Sequence, residues 1–259
     1  MNRDTPVAIF IGAHPAVLLS AASSPAYGVN ELHVANKLME GSLDTSLLPE
    51  TGLEVPRHSE IVLEGRILRG VKAKEGPFVD IVGLYDIVRE QPVVEIDRIY
   101  VREKAYYQAL LPAGSEHMIL MGFHREAQIW EYVSKIADVK AVKLTEGGGG
   151  WLHCIISIRK MTEGDAKNVI MAAFAAHPSL KTIVVVDEDI DIEDPVDVEW
   201  ALATRFQADR GIVIIKGARG SSLDPSADQV RMLTTKMGID ATVPLDRPRD
   251  LFTKARIPG

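Results

Sequence analysis

The second half of the chain alternates between short apolar runs and helix-forming segments, and this pattern constrains the fold more than any other feature. Helices are predicted at 126–137, 165–176 and 195–206. Strands are predicted at 139–144, 152–158, 182–186 and 212–215. The last helix has a clear start, because Asp194 can cap it and Pro195 suits its first position. Strands and helices that alternate at this spacing form an α/β layer. We therefore predict an α/β domain over residues 123–259.

Residues 1–122 predict a different arrangement, in which short helices are mixed with strands. An apolar strand at 7–11 leads through Gly12 into a turn or helix at 14–22, and Asn30 can cap a helix that ends before Gly41. The two-residue period of apolar side chains at 61–67 is typical of a strand, and a further strand is predicted at 93–101. The whole chain is thus predicted to have an α+β fold.

Charge and cysteine content narrow the class of protein. A net charge of -7 argues against a nucleic-acid binder, since no basic stripe is visible. The single cysteine cannot form an internal disulfide, which fits a reducing compartment. The apolar run at 7–22 is interrupted by Gly12, His14 and Pro15, so it does not read as a secretory signal. Nowhere is there a run of about 20 apolar residues. We predict a cytoplasmic protein without a membrane span.

Two carboxylates, Glu75 and Asp80, lie five residues apart around the pair Gly76-Pro77, a short distance after the strand predicted at 61–67. Two acids on one turn can divide the work of proton transfer if their surroundings separate their pKa values. Phe78 could provide an apolar wall beside them. The alternative interpretation is a hairpin loop with two solvated acids, and the acid pair alone does not exclude it.

The same segment resembles the active-site segment of the UbiD-like decarboxylases. In that family a strand ends in Glu-Gly, and a short linker leads to Glu-Gly-Pro-Phe-Gly followed by an acid; here Glu64-Gly65 and Glu75 to Phe78 match, while Val79 replaces the usual glycine. Further similar segments follow in the family's order: Gly12 to Pro15, Asn30 to Leu32, His177 to Lys181, Leu223 to Pro225, and Lys236 to Thr242. The resemblance extends over most of the chain.

This resemblance implies a partial flavin-binding split β-barrel domain at 1–122 and an α/β domain at 123–259 that mediates contacts between subunits. It implies a non-oxidative decarboxylase, or carboxylase, that acts on an aromatic or α,β-unsaturated carboxylic acid with prenylated FMN. By position, Asp80 would donate the proton and Glu75 would be its charged partner. Glu31 would bind a divalent metal, manganese or magnesium. Cofactor contacts would come from Ala22, Ser23, Ser24, Pro25 and Lys236.

Typical family members have a further N-terminal region, which supplies an arginine to the catalytic set and two more metal ligands. The resemblance therefore implies a partner, a separate N-terminal subunit that completes the site, or else a truncated chain. Two other interpretations stay open. The protein could be a non-catalytic assembly or regulatory subunit that keeps the fold, or a protein that binds a small acid without turning it over.

Three other segments have simpler interpretations. The acidic run at 187–194 lacks the spacing of a calcium loop, so a solvated loop is predicted. Four glycines at 147–150 lack the pattern of a phosphate-binding loop, and a flexible loop is predicted. The tail from Pro244 onward is predicted to be extended and available to a partner.

Overall fold

The computed structural model describes residues 4–23, 25 and 27–255. The chain forms two compact units, which we call the N-terminal unit (residues 1–80 and 84–120) and the C-terminal unit (residues 81–83 and 121–259). Both contain helices and sheets, so the predicted mixture of α and β structure is confirmed. The division into functional domains at residue 122 stays a prediction. Within the described residues, no helix has the length and apolar character needed to cross a membrane.

The N-terminal unit is built on an antiparallel sheet in the order β1-β4-β5, with a separate β2-β3 ribbon. These strands do not close into a barrel in the part of the chain that the structure describes, so the split barrel also stays a prediction. The elements are β1 (Thr5–Ile11), α1 (Pro15–Ala22), α2 (Glu31–Leu38), β2 (Thr45–Leu47), β3 (Glu54–Pro56), β4 (Ile61–Glu75) and β5 (Arg89–Val101).

The C-terminal unit is a five-stranded sheet in the order β6-β7-β8-β10-β9. Its central strands β7, β8 and β10 are parallel, and the edge strands β6 and β9 are antiparallel to their neighbours. Helix α3 (Ser115–Val133) begins in the N-terminal unit and continues into this one. The other elements are β6 (Asp138–Leu144), β7 (His153–Arg159), α4 (Asp165–Ala176), β8 (Thr182–Asp187), α5 (Pro195–Arg205), α6 (Ala208–Gly211), β9 (Ile212–Arg219) and β10 (Leu233–Ala241).

Both faces of this sheet are buried, which explains why β7 and β8 read as continuous apolar runs. On one face Ile156 packs with Val169 and other residues of α4, and on the opposite face Ile155 packs with Val198 of α5. Neighbouring residues of a strand point to opposite faces, so each of them needs an apolar side chain. The alternation of strands and helices in the sequence is therefore a direct consequence of a sheet that has helices packed on both faces.

The C-terminal segment is bound to the C-terminal unit at Phe252, whereas the sequence predicted an extended tail available to a partner. Arg205, whose side chain is 1% exposed, donates to Asp187 at 2.8 Å and to the carbonyl of Phe252 at 3.1 Å. The Val243 N–H donates to the same carboxylate of Asp187 at 2.7 Å. Burial raises the pKa of Asp187, although Arg205 and the Val243 N–H oppose that rise. Part of the acidic run is thus a buried ionic cluster and not a solvated loop.

A buried histidine gives the C-terminal unit a defined pH response. His177 is 2% exposed, packs edge-on against Trp151 and donates through Nε2 to the Trp151 carbonyl at 3.2 Å. Burial, together with the nearby charge of Arg125, lowers the pKa of His177 from 6.5 to about 4. Between those pH values the unfolded chain binds a proton that the folded chain does not, so folding stability falls as the pH drops below 6.5.

We expect the His177→Gln variant to lack this loss. Between pH 7 and pH 4.5 the free energy of unfolding should fall by about 2 kcal/mol more in the parent protein than in the variant. Urea unfolding of both proteins at the two pH values measures this difference, and acid groups common to both cancel. Equal losses in the two proteins would contradict a neutral buried His177.

Candidate active site

The two predicted catalytic acids lie on one closed hairpin between β4 and β5. Glu75 is the last residue of β4, and the Gly76–Pro77 peptide that follows it is cis. The Asp80 N–H donates to the Leu84 carbonyl at 2.9 Å, and Val79 and Tyr85 form an antiparallel bridge. This hydrogen bonding fixes the backbone that carries both carboxylates.

The surroundings of the two acids are open in this chain. Glu75 is exposed and Asp80 is half-buried, and the Phe78 side chain is 63% exposed. The apolar wall that the sequence suggested at Phe78 is therefore not formed by the described part of the chain. The described residues thus give both acids a defined backbone and leave Glu75 exposed.

An arginine that the sequence analysis did not single out lies beside this hairpin. Arg89 is directly opposite Glu75 in the pairing of β4 with β5. Its guanidinium nevertheless forms an ion pair with Asp86, with Nη2 at 2.9 Å from Oδ1. The position of Arg89 opposite Glu75 follows from the register of β4 and β5. The sequence does not reveal this register unless the length of the turn between the strands is known.

The Glu64-Gly65 pair, which matches the family motif, lies in β4, and its glutamate has a structural role. Glu64 is fully buried and accepts hydrogen bonds from the Tyr100 hydroxyl at 2.6 Å and from the Thr51 N–H and hydroxyl, both at 2.8 Å. Burial works to raise the pKa of Glu64, but these hydrogen bonds outweigh it and the pKa is lowered. Glu64 thus holds the segment around Thr51 against β4 and β5.

Glu31, the predicted metal ligand, lies at a small apolar pocket. It is the first residue of α2, which Asn30 caps through a hydrogen bond from the Leu32 N–H at 2.8 Å. The pocket has a volume of about 250 Å³. It is lined by Phe10, Val17, Ala21, Asn30, Glu31 and Leu32.

The predicted cofactor-contacting backbone begins beside this pocket. Ala22 is the last residue of α1, next to the lining residue Ala21, and the Ser23 hydroxyl donates to the Ser20 carbonyl at 2.7 Å. Pro25 follows and is half-buried. Ser24 lies outside the described residues. The structure thus brings Glu31 and the end of α1 to one place in the N-terminal unit.

A metal ion would need more ligands than this place offers. Among the described residues, no group of three or more histidine, cysteine, aspartate or glutamate side chains could hold a metal ion. Manganese and magnesium prefer several oxygen ligands. Glu31 fits as one ligand of such an ion, and the remaining ligands would come from a phosphate, water or residues outside this part of the chain.

Lys236, the predicted phosphate contact, belongs to the C-terminal unit and is 3% exposed. Its ammonium group donates to the carbonyls of Pro178 at 2.6 Å and Leu180 at 2.5 Å. Burial lowers its pKa from 10.5 to about 8. In the described structure Lys236 therefore links β10 to the turn before β8, and its contact with a cofactor stays a prediction.

The structure therefore combines a mixed α/β fold with two carboxylates on a closed hairpin and a third carboxylate beside an apolar pocket. Residues 1–115 match the family model described as the 3-octaprenyl-4-hydroxybenzoate carboxy-lyase Rift-related domain, and residues 118–241 match its C-terminal domain. The chain belongs to the UbiD family of decarboxylases.

One sequence relative and two solved structures support this assignment. The chain is 51% identical to the anhydromevalonate phosphate decarboxylase of Aeropyrum pernix over 100% of its own length and 58% of that protein. The UbiD-class enzyme HmfF from Pelotomaculum thermopropionicum, solved in complex with FMN, has a TM-score of 0.96 at 43% identity and covers 99% of this chain and 57% of its own. An evolved dimeric form of HmfF in complex with prFMN has a TM-score of 0.89 at 40% identity, over 99% of this chain and 56% of its own. The chain thus spans less than two thirds of the proteins it matches.

Proposed function

We propose that this chain is the acid-bearing part of a prenylated-FMN-dependent carboxy-lyase whose substrate is an α,β-unsaturated acid with a phosphate group. The observation that carries the proposal is the closed hairpin, which presents Glu75 and Asp80 within one hydrogen-bonded turn. The substrate class is supported by the 51% identity to a decarboxylase of anhydromevalonate phosphate.

Prenylated FMN, when bound, would supply an electron sink for the charge that carbon dioxide leaves behind. Asp80 delivers a proton to the carbon that has lost the carboxyl group, since general acid catalysis needs a positioned acid. Glu75, which lies on the same hairpin, would be the charged partner of Asp80 in this step.

The apolar pocket at Glu31 would hold part of the cofactor. Pockets that bind a whole small molecule or cofactor measure about 300–1,000 Å³. The pocket between α1 and α2, at about 250 Å³, is therefore suited to one part of the flavin and not to the whole. Glu31 would bind manganese or magnesium there, in the same unit as Ala22 at the end of α1.

The remainder of the site would come from residues equivalent to the part of the relatives that this chain does not match. In the described part of the chain β1 and β5 each have only β4 as a neighbouring strand, so both have an unpaired edge. Unpaired edges favour pairing with additional strands. A separate N-terminal subunit finds no support in the Aeropyrum pernix relative, where the matched region is part of one longer chain.

An aromatic acid is the second candidate substrate, because the matching family models are described by an aromatic substrate, 3-octaprenyl-4-hydroxybenzoate. Carbon dioxide release by the complete enzyme, loaded with prenylated FMN, should be measured with anhydromevalonate phosphate and with 4-hydroxybenzoate. We expect turnover of the phosphorylated acid only. Turnover of 4-hydroxybenzoate alone would replace the substrate class, and binding of either acid without carbon dioxide release would favour the non-catalytic interpretations.

A further inference from the structure

The tip of the catalytic hairpin belongs to the C-terminal unit. Residues 81–83, which directly follow Asp80, group with residues 121–259 and not with the rest of the hairpin. Ile81 is 0% exposed, although most of the hairpin around it is exposed. The position of the backbone immediately after Asp80 is therefore set by residues of the C-terminal unit.

The glycine-rich segment makes the closest approach to this tip. Gly149 has a φ of +67°, and the Cβ of an alanine there would lie 2.8 Å from Val82 Cγ1, 3.1 Å from Val82 Cα and 3.4 Å from the Ile81 carbonyl oxygen. A real Cβ does not tolerate 2.8 Å, and valine cannot easily swing aside because its χ1 is restricted. Only glycine allows the two backbones to come this close.

The segment is itself held firmly, contrary to the prediction of a flexible loop. Thr145 caps a single turn of 3-10 helix at Glu146–Gly148, and the Gly150 N–H donates to the Thr145 carbonyl at 2.9 Å. A Cβ at Gly148 would lie 2.6 Å from the His153 Cβ, and one at Gly122 would lie 3.0 Å from the Gly150 carbonyl oxygen. β7 and α3 thus support the segment from behind.

We propose that the glycine segment 147–150 is a positioning element for Asp80: the close contact of Gly149 with Val82 holds the hairpin tip and thereby fixes the Asp80 backbone. The catalytic part of this inference rests on the proposed function. The contact and the acid are joined by a single intervening residue, Ile81. Misplacing a catalytic group by about 1 Å can cost about 100-fold in rate.

The test compares Gly149→Ala with two matched variants. Gly217→Ala carries the same left-handed strain at a φ of +65°, but nothing lies within 4 Å of its new Cβ. Gly147→Ala changes the same segment, also with nothing within 4 Å. Hydrogen exchange of the Asp80 amide, which donates to Leu84, should become at least about tenfold faster in Gly149→Ala and stay near the parent rate in both others. Addition of Val82→Ala to Gly149→Ala removes the atom at 2.8 Å and should restore part of the protection.

Kinetics of the complete enzyme separate positioning from a merely structural role. We expect Gly149→Ala to lower kcat about 100-fold while KM changes less than about threefold, because the substrate-binding groups stay in place. Unchanged exchange at Asp80 would overturn the inference. Faster exchange with unchanged kcat would overturn its catalytic part, whereas faster exchange in a protein without decarboxylase activity would leave the contact intact and reject the proposed function.

Should Gly149→Ala fail to fold, Val82→Ala alone tests the same contact from the other side. It removes the Cγ1 atom that faces Gly149 without introducing left-handed strain. Faster exchange of the Asp80 amide in this variant supports the proposed positioning element, and parent-like exchange contradicts it.

Discussion

Replacement of Glu75 by glutamine is expected to lower kcat for decarboxylation by about 100-fold or more, since a positioned acid–base group contributes at least this much. Glutamine has the size of glutamate but carries no charge, so the β4–β5 hairpin should keep its shape. Steady-state kinetics of the complete enzyme measure this loss.

The matched control is Glu90→Gln. Glu90 is exposed and lies one position along the same strand pair, opposite Lys74. The substitution is chemically identical and removes the same charge from the same hairpin. If Glu75→Gln and Glu90→Gln had equal kcat values, the catalytic assignment of Glu75 would be wrong. The interpretation as a non-catalytic assembly subunit would then be favoured.

The second large effect concerns stability. Arg205→Ala should lower the free energy of unfolding by about 3–5 kcal/mol, because it removes the guanidinium that donates to the buried Asp187 and leaves only the more distant Arg249, at 3.8 Å, as a cationic partner. Both side chains are 1% exposed, so water cannot replace the guanidinium without opening the structure. The tail should also loosen, since Arg205 donates to the Phe252 carbonyl. Denaturant unfolding measures the first effect, and limited proteolysis near residue 252 measures the second.

Arg231→Ala is the control for this substitution. Arg231 pairs with Asp228, but its side chain is 73% exposed, and such a pair contributes at most about 1 kcal/mol. The double variant Arg205→Met with Asp187→Leu should be less destabilised than Arg205→Ala, because no buried charge is left unpaired. A cost for Arg205→Ala as small as that for Arg231→Ala would refute the buried ion pair.

The sequence predicted helices α4 and α5 and strands β7 and β8 of the C-terminal unit well, for a physical reason. Helix α4 has the predicted bounds, and α5 starts at Pro195 behind the cap Asp194, as expected. Strands buried on both faces must be apolar throughout, so β7 and β8 stand out from their surroundings. Local signals were sufficient here because burial and capping both act within a few residues.

Strand β10 was not predicted, because its sequence mixes threonine, lysine and glycine. Its glycine has a tertiary reason: a Cβ at Gly238 would lie 2.3 Å from Ile170 Cγ2 of α4. Helix α3 was predicted to begin at 126 but begins at Ser115. Neither the close approach of α4 to β10 nor the packing that supports α3 leaves a periodic signal in the sequence.

The site divides in the same way. The family resemblance, which local motifs carry, was enough to nominate Glu75, Asp80 and Glu31 as candidates. It could not indicate the pairing of Arg89 with Asp86, the burial of Asp187 by Arg205, or the contact of Gly149 with Val82, which join residues through the fold. Their roles in chemistry stay predictions that the proposed variants test.

The assignment of residues 81–83 to the C-terminal unit has a consequence for dissecting the protein. The chain passes from one unit to the other at Asp80, returns at Leu84, and passes again at Leu120. A fragment that ends at residue 120 would leave Ile81, now fully buried, facing water. A fragment that begins at residue 121 would lack the tip that packs beside Gly149. Cleavage at any single peptide bond therefore cannot yield two pieces that correspond to the two units.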